Sequence, residues 1–422
     1  MKPHFKNRHH SREFVILTLK IYRSSFRSIV KGYSMLIQSI IYGNPDYYPP
    51  MINGAEILHR HGFHQEILSR RFRSAVFLID DMDKYYPAST VIFRLDSSGK
   101  STARAFLSFA WHVLRKSNNE ADLFIGYNVH GFALARLLAY LYRKPVVYHS
   151  HDFMENNRVS TLGDRIFKTI ERRFARTADL VIVPDRRRAA AMSNQLSLKK
   201  SPLIVANSSL TAPDAPAPEL NFALQNLNIS FEHIVFRPGT IAHGHSIDIT
   251  IRSIPLWENK NWGFVVMGPC DQEYKVRLQI LAEEFGVKDQ FVILPPVNYA
   301  EVLKYTKGAS LGNAIYEPIN INHQYSTTAS NKIMEYIAAG IPMLLNDSAG
   351  NIDLINKYQN GLTVSHDSPE AIAQAVNLIL GDPKLAQQMS EGSKRAFREE
   401  FNYETQYLPA IQRFKELARS RK

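Results

Sequence analysis

"SNKIMEYIAAGIPMLLND", residues 330–347, reads as a helix, a stop and a short buried strand. Ser330 is a good N-cap, because its hydroxyl can accept from a free backbone N–H of the first turn. Ile333, Met334, Ile337 and Ala338 recur at helical spacing and predict a buried stripe. Gly340 ends the helix, and Pro342 prevents its continuation. An apolar run directly after such a stop is the second half of an α/β unit.

Two charges in this helix need a reason. Lys332 sits in the first turn, where the helix dipole disfavours a cation. A bound anion would remove that conflict, since free N–H groups at a helix start already attract one. Glu335, one turn on, is an acceptor-only carboxylate suited to a pair of adjacent hydroxyls such as those of a ribose. Phosphate near Lys332 and ribose near Glu335 together describe a nucleoside diphosphate. The competing reading is an ordinary exposed i,i+3 ion pair.

The same strand–helix rhythm runs through most of the chain. Apolar runs at 35–42, 63–68, 74–79, 91–95, 122–128, 145–151, 180–184 and 203–208 alternate with helical stretches such as 101–116 and 130–142. "TAPDAPAPELN" (211–221) then interrupts the pattern with proline and no periodicity, which marks a linker. The rhythm resumes at 233–237, 264–268, 291–295, 309–316, 342–347 and 361–365. Continuous Val/Ile/Leu strands alternating with helices predict parallel sheets covered on both faces. The expected class is α/β: two doubly wound, Rossmann-like domains facing across a cleft. The expected boundaries are a basic extension (1–33), a first domain (34–210), the linker (211–221), a second domain (222–400) and a C-terminal helix (401–422) with the option of crossing back to the first domain.

Composition narrows the classes. Of 422 residues, 45% are hydrophobic and 21% charged, which suits a globular chain and excludes a disordered one. A single cysteine, Cys270, excludes an internal disulfide. The net charge of +12 is uneven: residues 1–31 carry eight Lys and Arg side chains against Glu13, interleaved with apolar residues such as Phe14, Ile16 and Phe26. Lys20 and Arg23 break the apolar run too early for a membrane span. The mixture suits an anionic membrane surface, with a solvated extension as the rival reading. Arg186, Arg187 and Arg188 add positive charge without a nucleic-acid motif, so no nucleic-acid partner is expected.

The quoted stretch resembles the donor-site segment of GT-B-fold glycosyltransferases, especially the GT4-like family (glycosyltransferase group 1). Other segments resemble that family in order: "YYPPMINGAEILHRHGFHQEIL" (47–68), "ERRFARTADLVIVPDRRRAAAM" (171–192), "VANSS" (205–209) and "FRPGTIAHGHSIDITIRSI" (236–254). The resemblance implies the GT-B fold and transfer of a sugar from a nucleotide-diphosphate donor to a glycan or lipid-linked acceptor, with retention and without a cofactor or metal. It makes Glu335 the ribose ligand, and it gives the diphosphate to the glycine loop and the helix start. The implied donor set is Arg237, Gly239, Thr240, His245, Gly268, Ser330, Asn331, Lys332 and Glu335. It further implies a hexosyltransferase of cell-envelope polysaccharide or glycoconjugate synthesis. The single cysteine fits a cytoplasmic chain, and the basic extension would set it peripherally on the cytoplasmic face of a membrane. The chain departs from the family where Thr327 replaces a frequent glutamate, where Thr240 rather than Arg follows Gly239, and where His243 and His245 stand for a downstream Lys or Arg.

"VVYHSHDF" (146–153) supplies the acceptor side. His149 and His151 share a strand face, and the resemblance matches His151 to a histidine near the reaction centre, with Asp152 beside it. The alternatives are a hydrogen-bonded strand-end histidine or the start of a metal site that lacks further ligands. "RLDSSGKST" (94–102) lacks the first glycine of a phosphate loop, and "DDMD" (80–83) reads as solvated loop carboxylates. Two rival functions remain at this point: a nucleotide-sugar epimerase of the same fold, and a degenerate scaffold protein.

Overall fold

The computed structural model describes residues 35–72, 82–97, 102–153, 155, 161–212 and 217–420. The leading basic segment, the whole 74–79 run with Asp80 and Asp81, part of the linker and the 98–101 stretch lie outside the described residues.

The first domain runs β1 (Met35–Ile41), α1 (Pro49–Arg60), β2 (Phe63–Phe72), β3 (Thr90–Ser97), α2 (Ala103–Lys116), β4 (Leu123–Tyr127), α3 (Asn128–Tyr142), β5 (Val146–His149), α4 (Leu162–Phe174), β6 (Leu180–Val183), α5 (Arg186–Leu196) and β7 (Leu203–Ile204). Its seven strands are all parallel, in the order β3-β2-β1-β4-β5-β6-β7. The second domain runs α6 (Glu219–Gln225), β8 (His233–Pro238), α7 (Ile247–Ser253), β9 (Trp262–Met267), α8 (Gln272–Glu284), β10 (Phe291–Leu294), α9 (Tyr299–Lys307), β11 (Leu311–Ala314), α10 (Ile321–Gln324), α11 (Asn331–Ala339), β12 (Met343–Asn346), α12 (Ala349–Tyr358), β13 (Gly361–Val364), α13 (Pro369–Gly381) and α14 (Pro383–Glu399). Its six parallel strands take the order β10-β9-β8-β11-β12-β13. The order reverses between β1 and β4 in one sheet and between β8 and β11 in the other. Ligands of open α/β sheets bind at such switch points, beyond the strands' carboxyl ends.

Strand composition explains the burial. β4, β5 and β9 are buried at every residue, as a strand covered on both faces requires. α1 packs on one face of the first sheet, and α2, α3 and α5 on the other. The linker is shorter than its prolines suggest. α6 begins at Glu219, and its Leu220 and Leu224 are buried in the second domain's core.

The last helix, α15 (Tyr403–Arg419), returns to the first domain. Tyr403, Tyr407, Ile411 and Phe414 are buried with α1 and β1, and the Tyr403 hydroxyl donates to the Pro50 carbonyl at 2.9 Å.

Candidate functional site

α11 is the centre of the site, and it is more deeply set than its apolar stripe predicts. Every residue from Ile333 to Ala339 is buried, because the helix lies between α9, α14 and the sheet. Gly312 on β11 leaves room for the Tyr336 ring, which a Cβ there would meet at 2.5 Å. Tyr336 then donates its hydroxyl proton towards the carbonyls of Asn313 (2.8 Å) and Phe236 (3.1 Å). Glu335 is therefore buried, and no surface ion pair joins it to Lys332. Its carboxylate has no hydrogen-bond partner among the described residues, and burial pushes its pKa up to about 7, with Lys332 pulling the other way.

The start of α11 faces two glycine turns. Ser330 caps it, accepting from the Ile333 N–H at 3.5 Å, and its hydroxyl meets the Tyr316 hydroxyl at 3.0 Å. Asn331 follows with a buried Oδ1 that has no partner among the described residues. The Lys332 Nζ lies 3.4 Å from the Tyr316 hydroxyl and 3.1 Å from the position a Cβ on Gly239 would take. Gly239 has φ +90°, and Gly268 has φ +151° with its missing Cβ only 2.2 Å from the Gly239 carbonyl oxygen. Both positions need glycine, since no L side chain fits that approach. The Gly268→Ala protein is expected to lose about 1–3 kcal/mol of stability and to misplace the Gly239 turn, read by urea unfolding and by nucleotide-induced thermal shift. An unchanged protein in both measurements would detach the two turns from the site.

Tyr316 gathers the remaining donor-side residues. Arg237, at the end of β8, is buried with its guanidinium 5.0 Å from the Tyr316 ring centre. Its Nη1 donates to the Asn313 carbonyl at 3.1 Å, while Nε and Nη2 have no partner among the described residues. Burial lowers the Arg237 pKa, and no carboxylate is among the charges acting on it. His245 packs edge-on against Tyr316, with Nδ1 2.9 Å from the Thr240 carbonyl, so that nitrogen carries the proton. Burial, then Arg237 and Lys332, hold His245 neutral. Burial alone would raise the Tyr316 pKa, but Lys332 and Arg237 bring it below its usual value. Arg237 and Lys332 thus both lie over the Tyr316 ring, and among the described residues neither is hydrogen-bonded to a carboxylate. Thr240 itself is exposed and offers only its carbonyl, to His245.

The acceptor-side residues face this cluster across the cleft. A cavity of about 300 Å³ is lined by Asp152 and Arg188 from the first domain and by Tyr316, His323, Ser326 and Ser330 from the second. Asp152 is on the wall. His151 is buried instead between the rings of Tyr48 (5.4 Å) and Tyr127 (5.3 Å). Both His151 ring nitrogens lack a partner among the described residues, and burial, then Arg188, bring its pKa down to about 3. His149 lies beneath it at 4.6 Å. Among the described residues no cluster of three His, Cys, Asp or Glu could hold a metal ion.

Sequence reasoning missed three residues that build the cleft. Arg188, grouped above with surface charge, is buried; it donates to the His151 carbonyl at 2.8 Å and, across the cleft, to the carbonyls of Tyr325 (2.9 Å) and Asn322 (2.6 Å). Asn322 pairs with the backbone N–H and carbonyl of Phe153, both at 3.1 Å. Asn128, at φ +52°, accepts from the backbone N–H groups of His151 and Asp152 at 2.9 and 3.1 Å. Asn207 adds a further bridge, donating its backbone N–H to the Thr328 carbonyl and its side chain to that of Ala329, both at 2.8 Å. Thr327, in place of the family's frequent glutamate, is buried and donates to Asn351 Oδ1 at 2.7 Å.

Two family models match the chain: "Glycosyl transferase 4-like domain" over residues 54–207 and "Glycosyl transferases group 1" over residues 225–396. The chain belongs to the group 1, GT4-like glycosyltransferases of GT-B fold. A segment of 177 residues is 25% identical to an uncharacterised glycosyltransferase of Methanocaldococcus jannaschii, covering 41% of this chain and 42% of that protein. Among solved structures, Anabaena HepE in complex with UDP and glucose superposes with a TM-score of 0.70 at 15% identity, over 90% of this chain and 100% of that one. Sucrose-phosphate synthase from Thermosynechococcus elongatus gives 0.66 at 14% identity, over 92% and 100%. At such identities the likeness is one of fold.

Proposed function

We propose that this chain transfers a hexose from a nucleotide-diphosphate sugar to a glycan or lipid-linked acceptor, with retention, in the synthesis of a cell-envelope polysaccharide or glycoconjugate. The observation that carries the reading is the positive cluster of Lys332 and Arg237, neither in an ion pair among the described residues, beside the two glycine turns at the β8/β11 switch point. A diphosphate supplies the counter-charge this cluster lacks. As the sugar–phosphate bond breaks, negative charge grows on the diphosphate, and fixed cations in a water-poor site stabilise it most then. The acceptor hydroxyl forms the new bond to the anomeric carbon and gives its proton to the departing phosphate, so no protein nucleophile is needed. Glu335 takes the ribose hydroxyls. Neutral His151 and exposed Asp152 border the acceptor's approach.

HepE is bound to UDP and glucose in its structure, which supports a nucleoside diphosphate as the ligand class. The working site is proposed to be cytoplasmic, against a membrane that presents the acceptor. Thr327 favours the scaffold alternative, since its hydroxyl is committed to Asn351 and no carboxylate stands there.

Thermal-shift titration with UDP, GDP, ADP and their sugars tests the reading. A ligand at a hundred times its Kd adds about 2.7 kcal/mol to stability. At least one diphosphate is expected to raise the melting temperature, and sugar release is expected to depend on acceptor. A shift with turnover in the absence of acceptor would instead indicate epimerisation. No shift with any nucleotide would leave the scaffold.

A further inference from the structure

Helices on the surface of a globular protein normally turn their apolar side inward. Three neighbouring helices of the first domain also carry an apolar stripe outward. On α2, Leu107, Trp111 and Leu114 follow i, i+4, i+7 spacing and are 68%, 63% and 39% exposed. α3 presents Leu137, Tyr140 and Leu141, and α4 presents Leu162 and Ile166, again on its exposed side. α2 and α4 meet through the Phe106 and Phe167 rings at 4.8 Å, α3 touches both through His130, and the Tyr142 and Ser117 hydroxyls join α3 to the end of α2 at 2.7 Å. The stripes therefore belong to one layer, on the sheet face opposite α1 and α15. Large exposed apolar side chains gathered on neighbouring helices of one layer mark a contact site.

The charges around the stripes select the partner. Arg104, Arg115 and Lys116 on α2, Arg143 after α3, and Arg165 and Arg173 on α4 are exposed. The two carboxylates on these helices are not: Glu171 is buried against Lys168 (2.7 Å), and half-buried Asp164 is held in the Thr161 capping box. We infer that this layer docks on an anionic lipid surface, with the apolar stripes entering the headgroup boundary and the cations meeting lipid phosphates. A second copy of the chain would bring the same cations face to face. The chain's own leading segment bears the same sign, with eight Lys and Arg against Glu13 over residues 1–31. No described helix is long and apolar enough to cross a membrane.

Trp111 makes the inference directly testable. The chain has three tryptophans, and Trp257 and Trp262 are only 2% and 4% exposed. The full-length protein is mixed with phosphatidylcholine vesicles, with or without phosphatidylglycerol, carrying brominated acyl chains. Trp111 emission is expected to shift to the blue and be quenched only with phosphatidylglycerol present, and to recover in high salt. The Trp111→Glu/Tyr140→Glu and Arg165→Glu/Arg173→Glu proteins should each bind at least about tenfold more weakly, keeping the parent's nucleotide-induced thermal shift as proof of folding. Binding without Trp111 quenching would place the contact elsewhere and overturn the inference. So would absence of binding, or a Trp111 already shielded by self-association or by the chain's own leading segment.

Discussion

Replacing Lys332 with methionine is expected to weaken nucleoside-diphosphate binding about a hundredfold while leaving the fold intact. Hydrogen bonds to charged groups contribute roughly 1.5–3 kcal/mol, and a hundredfold is near the top of that range. The large value is justified by position. Lys332 lies against the Gly239 turn at the start of α11, and among the described residues no acidic side chain forms an ion pair with it. The Lys332→Met protein gives up little internal bonding, since its one hydrogen bond among the described residues is the long one to Tyr316. Arg237→Met is the informative comparison. Its guanidinium is buried behind Tyr316, so it acts on a diphosphate through the field; unit charges ~7 Å apart at an effective dielectric of about 20 interact by roughly 2 kcal/mol. A loss of about thirtyfold is expected, together with equal or higher apo stability, because a buried charge without a counter-ion is removed. Calorimetric titration with the nucleotide that shifts the parent, and urea unfolding, measure both. Unaltered affinity in Lys332→Met would mean that the anion site is elsewhere.

Glu335→Gln is expected to cut nucleotide affinity by about tenfold to a hundredfold and to change how stability responds to pH. An amide offers one acceptor where the carboxylate offers two. Burial raises the folded pKa from 4.5 to about 7. The folded protein therefore holds a proton that the unfolded chain has lost across this window. That contribution is full below about pH 4.5 and disappears as pH climbs through 7, amounting to about 3 kcal/mol. Glu335→Gln should remove this slope, gaining on the parent at pH 8 and matching it at pH 5. Ligand hydroxyls favour the ionised form, so parent affinity should rise with pH over the same interval. Superimposable pH–stability curves for the two proteins would contradict the burial account.

The fold was legible because parallel sheets write themselves in continuous apolar strands, and the 330–347 stretch gave a cap, a stop and a strand in sequence. Lys332 stood out because a cation in the first turn opposes the helix dipole, and Glu335 because an acceptor-only carboxylate follows it one turn on. Arg188 did not, because three consecutive arginines look like solvated charge; only the fold shows that the third turns inward to carbonyls on two domains. Asn128 and Asn322 were hidden for a related reason. Asparagine is ordinary in loops, and its partners here are backbone groups 23 and 169 residues away. The depth of Glu335 was also out of reach, since burial by α9 and α14 depends on packing that no spacing within α11 records.

The return of α15 to the first domain has a consequence for biosynthesis. Tyr403, Tyr407, Ile411 and Phe414 complete an interior whose first members are translated some 350 residues earlier, as the Tyr403–Pro50 bond spans 353 positions. The amino-terminal half must leave the ribosome with an open apolar seam and wait for its final piece. Chains that end prematurely before Tyr403 should therefore aggregate or be degraded through the half that was finished first, even though every strand of its sheet is present.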